Sequence, residues 1–272
     1  MRQLRLWYQS LTDLSLLDAY ERGLRQHARD VAGPDTFVDI HGVKSGTYES
    51  RYPGKRIQQV YLQSLHKEQF ISAALTAESQ GYDGMIIGTI PDLALEECRS
   101  VVDIPVVGFG EASFRIASML GAVIGVVSFD IFHLEAQLRR NAERYGLASL
   151  LGPMTSAGVD FDDVVDELAQ DSPGKVIDAV TVAARGLIDK GAQVIIPGPG
   201  PMNLLVAKHH LARIDDVPVI DSLRSSIEMC TVMARMKHAG IYANRRGFYW
   251  ARPSREQLDT ARSVYGLPAP QG

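Results

Sequence analysis

One unit of this chain occurs twice. Gly81-Tyr-Asp-Gly-Met-Ile-Ile-Gly88 leads through a helical pattern to Asp103-Ile-Pro-Val-Val107, and Gly191-Ala-Gln-Val-Ile-Ile-Pro-Gly198 leads through another to Asp216-Val-Pro-Val-Ile220. Gly81 and Pro105 stand 24 positions apart and Gly191 and Pro218 stand 27 apart, so the second copy carries a small insertion. Each copy reads as a buried apolar strand, a helix and a second short strand, the signature of parallel strands joined by helical crossovers. A duplicated unit of this kind confines the chain to the α/β class and to two lobes related by a pseudo-twofold axis.

The same alternation runs almost from end to end of the 272 residues, enough chain for one large α/β core or two of ordinary size. Strands are expected at 3–8, 37–40, 84–87, 105–108, 123–127, 193–196 and 218–220, and long helices at 14–31, 58–79, 131–145, 175–190 and 222–236. In open parallel sheets, ligands bind beyond the carboxyl ends of the strands. Two facing lobes would therefore aim residues 88–92 and 198–203 at a single cleft.

Five further pieces occur in a telling order. They are Gly46-Thr-Tyr-Glu-Ser-Arg51 ahead of a long helix, Gly81-Tyr-Asp83 before a strand, Val107-Gly-Phe-Gly-Glu-Ala112, Gly125-Val-Val-Ser128 and Val217-Pro-Val-Ile-Asp221. In these pieces the chain, up to about Met236, resembles the aspartate/glutamate/hydantoin racemase superfamily, in its hydantoin-racemase branch. The resemblance implies two Rossmann-like lobes with parallel sheets and an active-site cleft between them. One lobe would comprise residues 1–103 and 221–272, the other residues 104–220.

The resemblance also implies two cysteines flanking the substrate's stereocentre, one removing the α-proton and the other returning a proton from the opposite face. Counting from Asp83 puts the first at Thr89, with Asp92 where the family's Cys-x-x-Asp expects an aspartate; counting from Gly191 puts the second at Pro199. A thiol has a pKa of about 8.5 and can be tuned to neutrality, whereas a threonine hydroxyl is too weak an acid to stand as a base and proline has no proton to exchange. Two-thiol racemisation is excluded by those residues. The chain's two cysteines, Cys98 and Cys230, fall inside helical patterns, so neither a disulfide framework nor a thiolate metal site is indicated.

Thr89 remains able to orient a ligand or a water, and Asp92 is either a general base or the cap of the helix that follows it. Glu111 is either an acid or base whose pKa is raised by partial burial, or a carboxylate held at a helix start. Gly88, Gly198, Pro199 and Gly200 would form the two cleft loops. In Pro197-Gly-Pro-Gly-Pro201 only the two glycines keep an N–H to point at a ligand. Gln9 and Ser10 follow the first strand where the family binds substrate, and Ser128 and Phe129 are their counterparts in the other lobe. Tyr48 and Arg51 sit in the loop after the second strand, where an arginine either clamps a carboxylate or is an exposed loop side chain with no such task. Asp221 either reaches the cleft or caps the helix after it.

No cofactor or metal is expected. His209 and His210 are adjacent, without the i,i+4 geometry of a helical metal pair, and His41, His66 and His133 are scattered. Gly108-Phe-Gly110 lacks the third glycine of a dinucleotide fingerprint, since residue 113 is serine. The net charge of −4, without a long basic run, argues against nucleic acid. No leader-like segment or membrane-length apolar stretch appears, so a cytoplasmic protein with no membrane partner is expected. Asn244-Arg-Arg-Gly-Phe-Tyr-Trp250 either packs across its own lobes or grips a second copy in a homo-oligomer.

These features point to an enzyme acting on a small carboxylate or cyclic amide through a stabilised enolate or oxyanion, as an isomerase, lyase, decarboxylase or hydrolase. Two alternatives stand beside it. One is a hydrolase or lyase that activates water with Asp92 or Glu111, and the other is a silent homologue that only binds the ligand.

Overall fold

The computed structural model describes residues 2–170, 173–247 and 250–267, the side chain of Lys55 excepted. Its first sheet is wholly parallel, with β1 (Leu4–Ser10), β2 (Thr36–His41), β3 (Gly84–Gly88) and β4 (Val106–Gly108) in the order β2-β1-β3-β4. The second, also parallel, has β5 (Ile124–Ser128), β6 (Leu151–Ser156) and β7 (Val194–Pro197) in the order β6-β5-β7. Val219 adds an isolated parallel bridge to Ile195 on β7. With that bridge as a fourth position, the two sheets share one topology, which is what a duplicated unit requires. All residues of β3, β5 and β7 are buried, because helices cover both faces.

The helices are α1 (Asp18–Ala32), α2 (Gly54–Ile57), α3 (Val60–Ser79), α4 (Leu95–Val101), α5 (Phe109–Ser118), α6 (Ile131–Arg144), α7 (Phe161–Leu168), α8 (Lys175–Ile188), α9 (Gly200–Lys208), α10 (Ser222–His238) and α11 (Arg255–Val264). α10 returns to the first sheet, packing on β3 between α1 and α5, while α8 covers β5 and β6. The chain passes from one sheet to the other through α5. β4 pairs with β3, so it belongs to the first sheet, one strand beyond the break that the sequence reading sets after residue 103.

The insertion in the second copy of the repeat is a small antiparallel hairpin, β8 (Arg213–Ile214) with β9 (Val217–Pro218), turning at Asp215 with φ 50°. Pro218 has no N–H for a ladder, so the strand expected at 218–220 shrinks to the Val219 bridge and the Ile220 N–H bond to Ile195 O. β6 is absent from the sequence reading because Gly152 and Pro153 interrupt it. It forms at the sheet edge, where a missing donor is tolerated, and its register with β5 shifts between Ile124 and Val126. The helix expected from 14 starts at Asp18, because Leu14–Leu16 make a separate 3-10 turn capped by Asp13. The one expected from 58 is broken at Gln59, whose ψ of 136° is extended.

The final segment folds back on its own chain. Arg245 reaches Asp103 and the Arg99 carbonyl, Arg252 pairs with Asp103 and Glu78, and Arg262 on α11 is buried against Glu68 and Ser72 of α3. A capping box of Ser254 and Gln257 starts α11, a helix the sequence reading does not anticipate. Phe248, Tyr249 and the terminal Pro-Ala-Pro stretch lie outside the described residues. Among the described residues no helix is long and apolar enough to cross a membrane.

Candidate active site

A cavity of about 80 Å³ lies beyond the carboxyl ends of β1 and β3 of one sheet and of β5 and β7 of the other. Each strand end contributes: Ser10, Leu11 and Thr12 after β1, Gly88 through Pro91 at β3, Phe129 and Asp130 after β5, and Pro199 through Pro201 after β7. Tyr20 of α1, Ile57 of α2, Gln63 of α3, His133, Leu134 and Gln137 of α6, and Phe161 of α7 complete the wall, with Tyr52 and Gln58 from the loop around α2.

The repeat sets the local geometry. Ser10 ends β1 and its Oγ accepts the Thr12 N–H at 3.2 Å; Ser128 ends β5 and its Oγ accepts the Asp130 N–H at 3.1 Å. The same hydroxyl-closed turn thus follows the first strand of each sheet. Ser10 therefore corresponds to Ser128, and the sequence reading, which aligns Gln9 and Ser10 with Ser128 and Phe129, is one residue out of step. Thr12 accordingly corresponds to Asp130, so one copy carries a hydroxyl where the other carries a carboxylate.

Asp130 gathers the polar side of the cavity. Its Oδ2 accepts the Tyr52 hydroxyl in a short hydrogen bond and Gln58 Nε2 at 3.4 Å, and its Oδ1 lies 2.6 Å from His133 Nδ1. Burial alone would raise its pKa, but the bonds from Tyr52 and His133 outweigh it and hold the carboxyl below the usual range. With Asp130 ionised, His133 Nδ1 is assigned the proton and Nε2 is left as the basic nitrogen. Burial, aided by the Asp130 charge, pushes the Tyr52 phenol far above its ordinary value, so it stays a neutral donor. The Tyr52 ring stacks on Phe161 at 5.0 Å, and the edge of Phe129 meets both rings at 5.8 Å. Asp130, His133 and Tyr52 are absent from the sequence-derived site; the signal for the pair was an aspartate just past a strand with a histidine three residues on, in the first turn of a helix.

Thr89 and Pro199 line the same cavity, one from each sheet. Both thiols are elsewhere: Cys98 is buried in α4, and Cys230 is buried in α10 with Sγ 3.7 Å from the Met85 carbonyl. Burial pushes both far above the usual thiol range. Of the two glycine amides in 197–201, that of Gly198 donates to the Val127 carbonyl at 2.7 Å, so it is not available to a ligand as the sequence reading supposes. Gly200 lies so close to Tyr20 that a Cβ there would stand 2.6 Å from the phenol oxygen.

Of the sequence-derived candidates, Ser10, Gly88, Thr89, Phe129, Pro199 and Gly200 line the cavity, and the others lie outside its wall. Gln9 is buried, accepting from Trp7 Nε1 and donating to the Gly42 carbonyl at 2.8 Å. Tyr48 donates to the Leu11 carbonyl at 2.9 Å, supporting the β1 loop from behind. Arg51 bonds Asp166 at 2.7 Å and Asp162 at 3.3 Å, so the carboxylates it meets are those of α7 and not a ligand's. Asp221 caps α10 through the Arg224 N–H and meets His27 Nε2 at 2.8 Å.

The two carboxylates read either as acids or bases or as helix-start groups are both committed. Asp92 accepts the N–H groups of Gly110 and Glu111 at 2.8 and 2.6 Å and the Tyr145 hydroxyl at 2.5 Å. It caps α5, two segments away, whereas Ala94 occupies the cap position of α4. Glu111 is held by Arg99 at 2.5 Å and Arg115 at 2.9 Å. Burial works against its charge, yet these guanidiniums carry its pKa below the ordinary value, opposite to the rise that the acid–base alternative needs, and it stands in the first turn of α5 as the helix-start alternative has it.

The family model for Asp/Glu/hydantoin racemase matches residues 18–230. A hydantoin racemase from Pseudomonas sp. (strain NS671) is 29% identical over 129 residues, a stretch spanning 47% of this chain and about half, 49%, of that protein. Among solved structures, allantoin racemase from Klebsiella pneumoniae aligns with a TM-score of 0.73 at 21% identity, covering 93% of this chain and 94% of the other. Allantoin racemase from Pseudomonas fluorescens aligns at 0.71 and 16% identity, covering 92% and 97%. A glutamate racemase from Bacillus anthracis aligns at 0.54 and 14%, covering 97% and 94%. The structural likenesses establish the fold that these proteins have in common.

Proposed function

The chain belongs to the Asp/Glu/hydantoin racemase family, and from that premise we propose that it is an isomerase of small cyclic amides or carboxylates that moves an α-proton through a stabilised enolate without thiol bases. The observation that carries this reading is the placement of Thr89 and Pro199 on the cavity wall with Cys98 and Cys230 buried away from it. A substrate α-proton needs an acceptor near neutrality, and neither a threonine nor a proline is one.

The wall favours a flat, partly apolar ligand. Tyr52, Phe129, Phe161, Ile57, Ile90 and Leu134 offer apolar surface, while Ser10, Thr12, Thr89, Gln58, Gln63 and Gln137 offer neutral donors and acceptors. Such a lining suits a ring amide better than a free amino acid, because the one carboxylate on the wall among the described residues, Asp130, is already engaged by Tyr52, Gln58 and His133 and is not left to pair with an ammonium. The names of the similar hydantoin and allantoin racemases point to the same ligand class. Asp92 and Glu111, the two bases named for a water-activating hydrolase or lyase, both lie outside the wall.

The test is exchange of substrate α-hydrogen in deuterated water, followed by NMR across 5-substituted hydantoins, allantoin, aspartate and glutamate, before and after iodoacetamide. Exchange confined to the ring amides and unchanged by alkylation is expected. Exchange abolished by alkylation, with substrate protecting against the loss, would return the chemistry to a thiol.

A further inference from the structure

We infer that the Asp130–His133 pair is the proton carrier of this cavity, with His133 Nε2 as the base and Asp130 as its positioning residue, and that the proton leaves and returns on one face of the substrate. The inference rests on the isomerase reading above and names the group that does its chemistry.

Among the described residues, the titratable side chains on the cavity wall are Tyr20, Tyr52, Asp130 and His133. The two phenols are raised by burial and cannot serve as bases near neutrality. Asp130 is engaged by Tyr52, Gln58 and His133. His133 remains: its side chain keeps 39% of its exposure, it stands on the first turn of α6, and its Nδ1 is occupied by a carboxylate 2.6 Å away. A carboxylate on Nδ1 fixes the tautomer with Nε2 free, steadies the ring, and stabilises the imidazolium that forms when Nε2 takes a proton.

The pseudo-twofold shows that this device is single. The hydroxyl turn at Ser10–Thr12 repeats at Ser128–Asp130, so the position matching Asp130 is Thr12 and the one matching His133 is Ser15. Ser15 Oγ donates to Asp13 at 2.6 Å and is not on the cavity wall. Pro199, on the wall after β7, has no proton to give. One sheet thus carries an acid–base pair and the other carries hydroxyl residues, Thr12 and Ser15, at the matching positions.

The step balances without a further reactant. The substrate C–H bond breaks, its proton forms the Nε2–H bond, and its electron pair delocalises into the adjacent carbonyl as an enolate. A neutral donor on the wall, the Thr89 hydroxyl, can support that oxyanion. The imidazolium then returns the proton to the same face, either to the original carbon with its configuration kept or to a conjugated position with migration of a double bond.

The experiment is deuterium incorporation into whichever ring amide of the panel exchanges, read by NMR together with polarimetry. Wild type should incorporate deuterium while optical rotation is retained. His133→Gln should slow incorporation at least about 100-fold, and His133→Ala should regain part of the rate with added imidazole. Asp130→Asn should lower kcat about 10- to 100-fold with little change in KM. Circular dichroism should show all three variants folded, since His133 is partly exposed. Exchange in His133→Gln within about threefold of wild type overturns the assignment while leaving the isomerase reading intact. Exchange accompanied by equal loss of rotation overturns the one-face geometry. An absence of exchange by wild type across the panel overturns both the assignment and the reading it rests on.

Discussion

Two neighbouring carboxylates show why residue type and position in sequence were not enough to find the chemistry. Asp92 and Glu111 both follow strands of the first sheet, and both are buried. Burial pushes Asp92 up to about 7 despite the donors around it, whereas Arg99 and Arg115 overcome burial at Glu111 and carry it down. The Arg115 guanidinium comes from one turn along α5, and that of Arg99 comes from α4, a contact that no count along the chain reveals. The linkage follows the sign of the shift. A carboxyl lowered in the folded state stabilises it above the ordinary value of 4.5 and ceases to do so as pH falls through the lowered value. Glu111→Gln should therefore cost about 2 kcal/mol of unfolding free energy at pH 7. The deficit should shrink below about pH 4, and urea titrations at the two pH values measure it. Activity should survive, because Glu111 is not on the cavity wall. Thr89 and Pro199, by contrast, were legible, since a fixed count from Asp83 and Gly191 lands at the ends of short, fully buried strands. Asp130 and His133 were missed because their pairing is visible only once the strand before them is known to end at Ser128.

At the level of elements, the sequence was clear wherever a segment followed one rule and obscure wherever a packing partner overrode it. β3 and β7 are apolar runs framed by glycine and needed no context. β6 contains Gly-Pro and is a strand only because its neighbour β5 supplies the ladder. α11 is a polar, exposed helix whose one buried side chain, Arg262, is fixed by Glu68 and Ser72 of α3. Two helical glycines make the contrast testable. In α8, a Cβ added at Gly186 meets nothing within 4 Å. Gly186→Ala should therefore add about 0.5–1 kcal/mol through lower chain entropy, raising Tm by about 1–4 °C. In α5, a Cβ at Gly110 would stand 2.2 Å from the Ile90 carbonyl oxygen and 2.8 Å from Asp92 Oδ2. Gly110→Ala should cost about 3 kcal/mol, because backbone would have to move. Calorimetry on both variants checks the opposite signs, and equal effects would mean that α5 does not approach the Ile90 loop so closely.

Across the whole molecule, the repeat predicted two sheets facing one cleft, and the loop after β2 shows how the halves are joined over it. Tyr52 leaves that loop to bond Asp130 and stack on Phe161, and Arg51 beside it pairs with Asp162 and Asp166 of α7. Of the two sequence alternatives for Arg51, a carboxylate clamp or an exposed arginine without that task, neither describes it fully, because the carboxylates it holds are the protein's own. These ion pairs are well exposed, with Arg51 at 39% and the aspartates above 60%, so their contribution to stability should be under about 1 kcal/mol. Their effect should instead be on how tightly the loop holds Tyr52 against the cavity. Arg51→Ala should leave Tm nearly unchanged and raise KM several-fold, about 3- to 10-fold, with kcat little altered. Salt provides the internal check. Exposed pairs are screened when the Debye length shrinks from about 10 Å at 0.1 M to about 3 Å at 1 M, so wild-type KM should climb with ionic strength towards that of the variant. The variant's own KM should stay flat. A substrate-binding arginine would behave differently: its loss would raise KM only for anionic substrates, and neutral ring amides would not register it. Steady-state kinetics on hydantoin itself, at low and high salt with both proteins, separates a latch between the lobes from a clamp on the ligand.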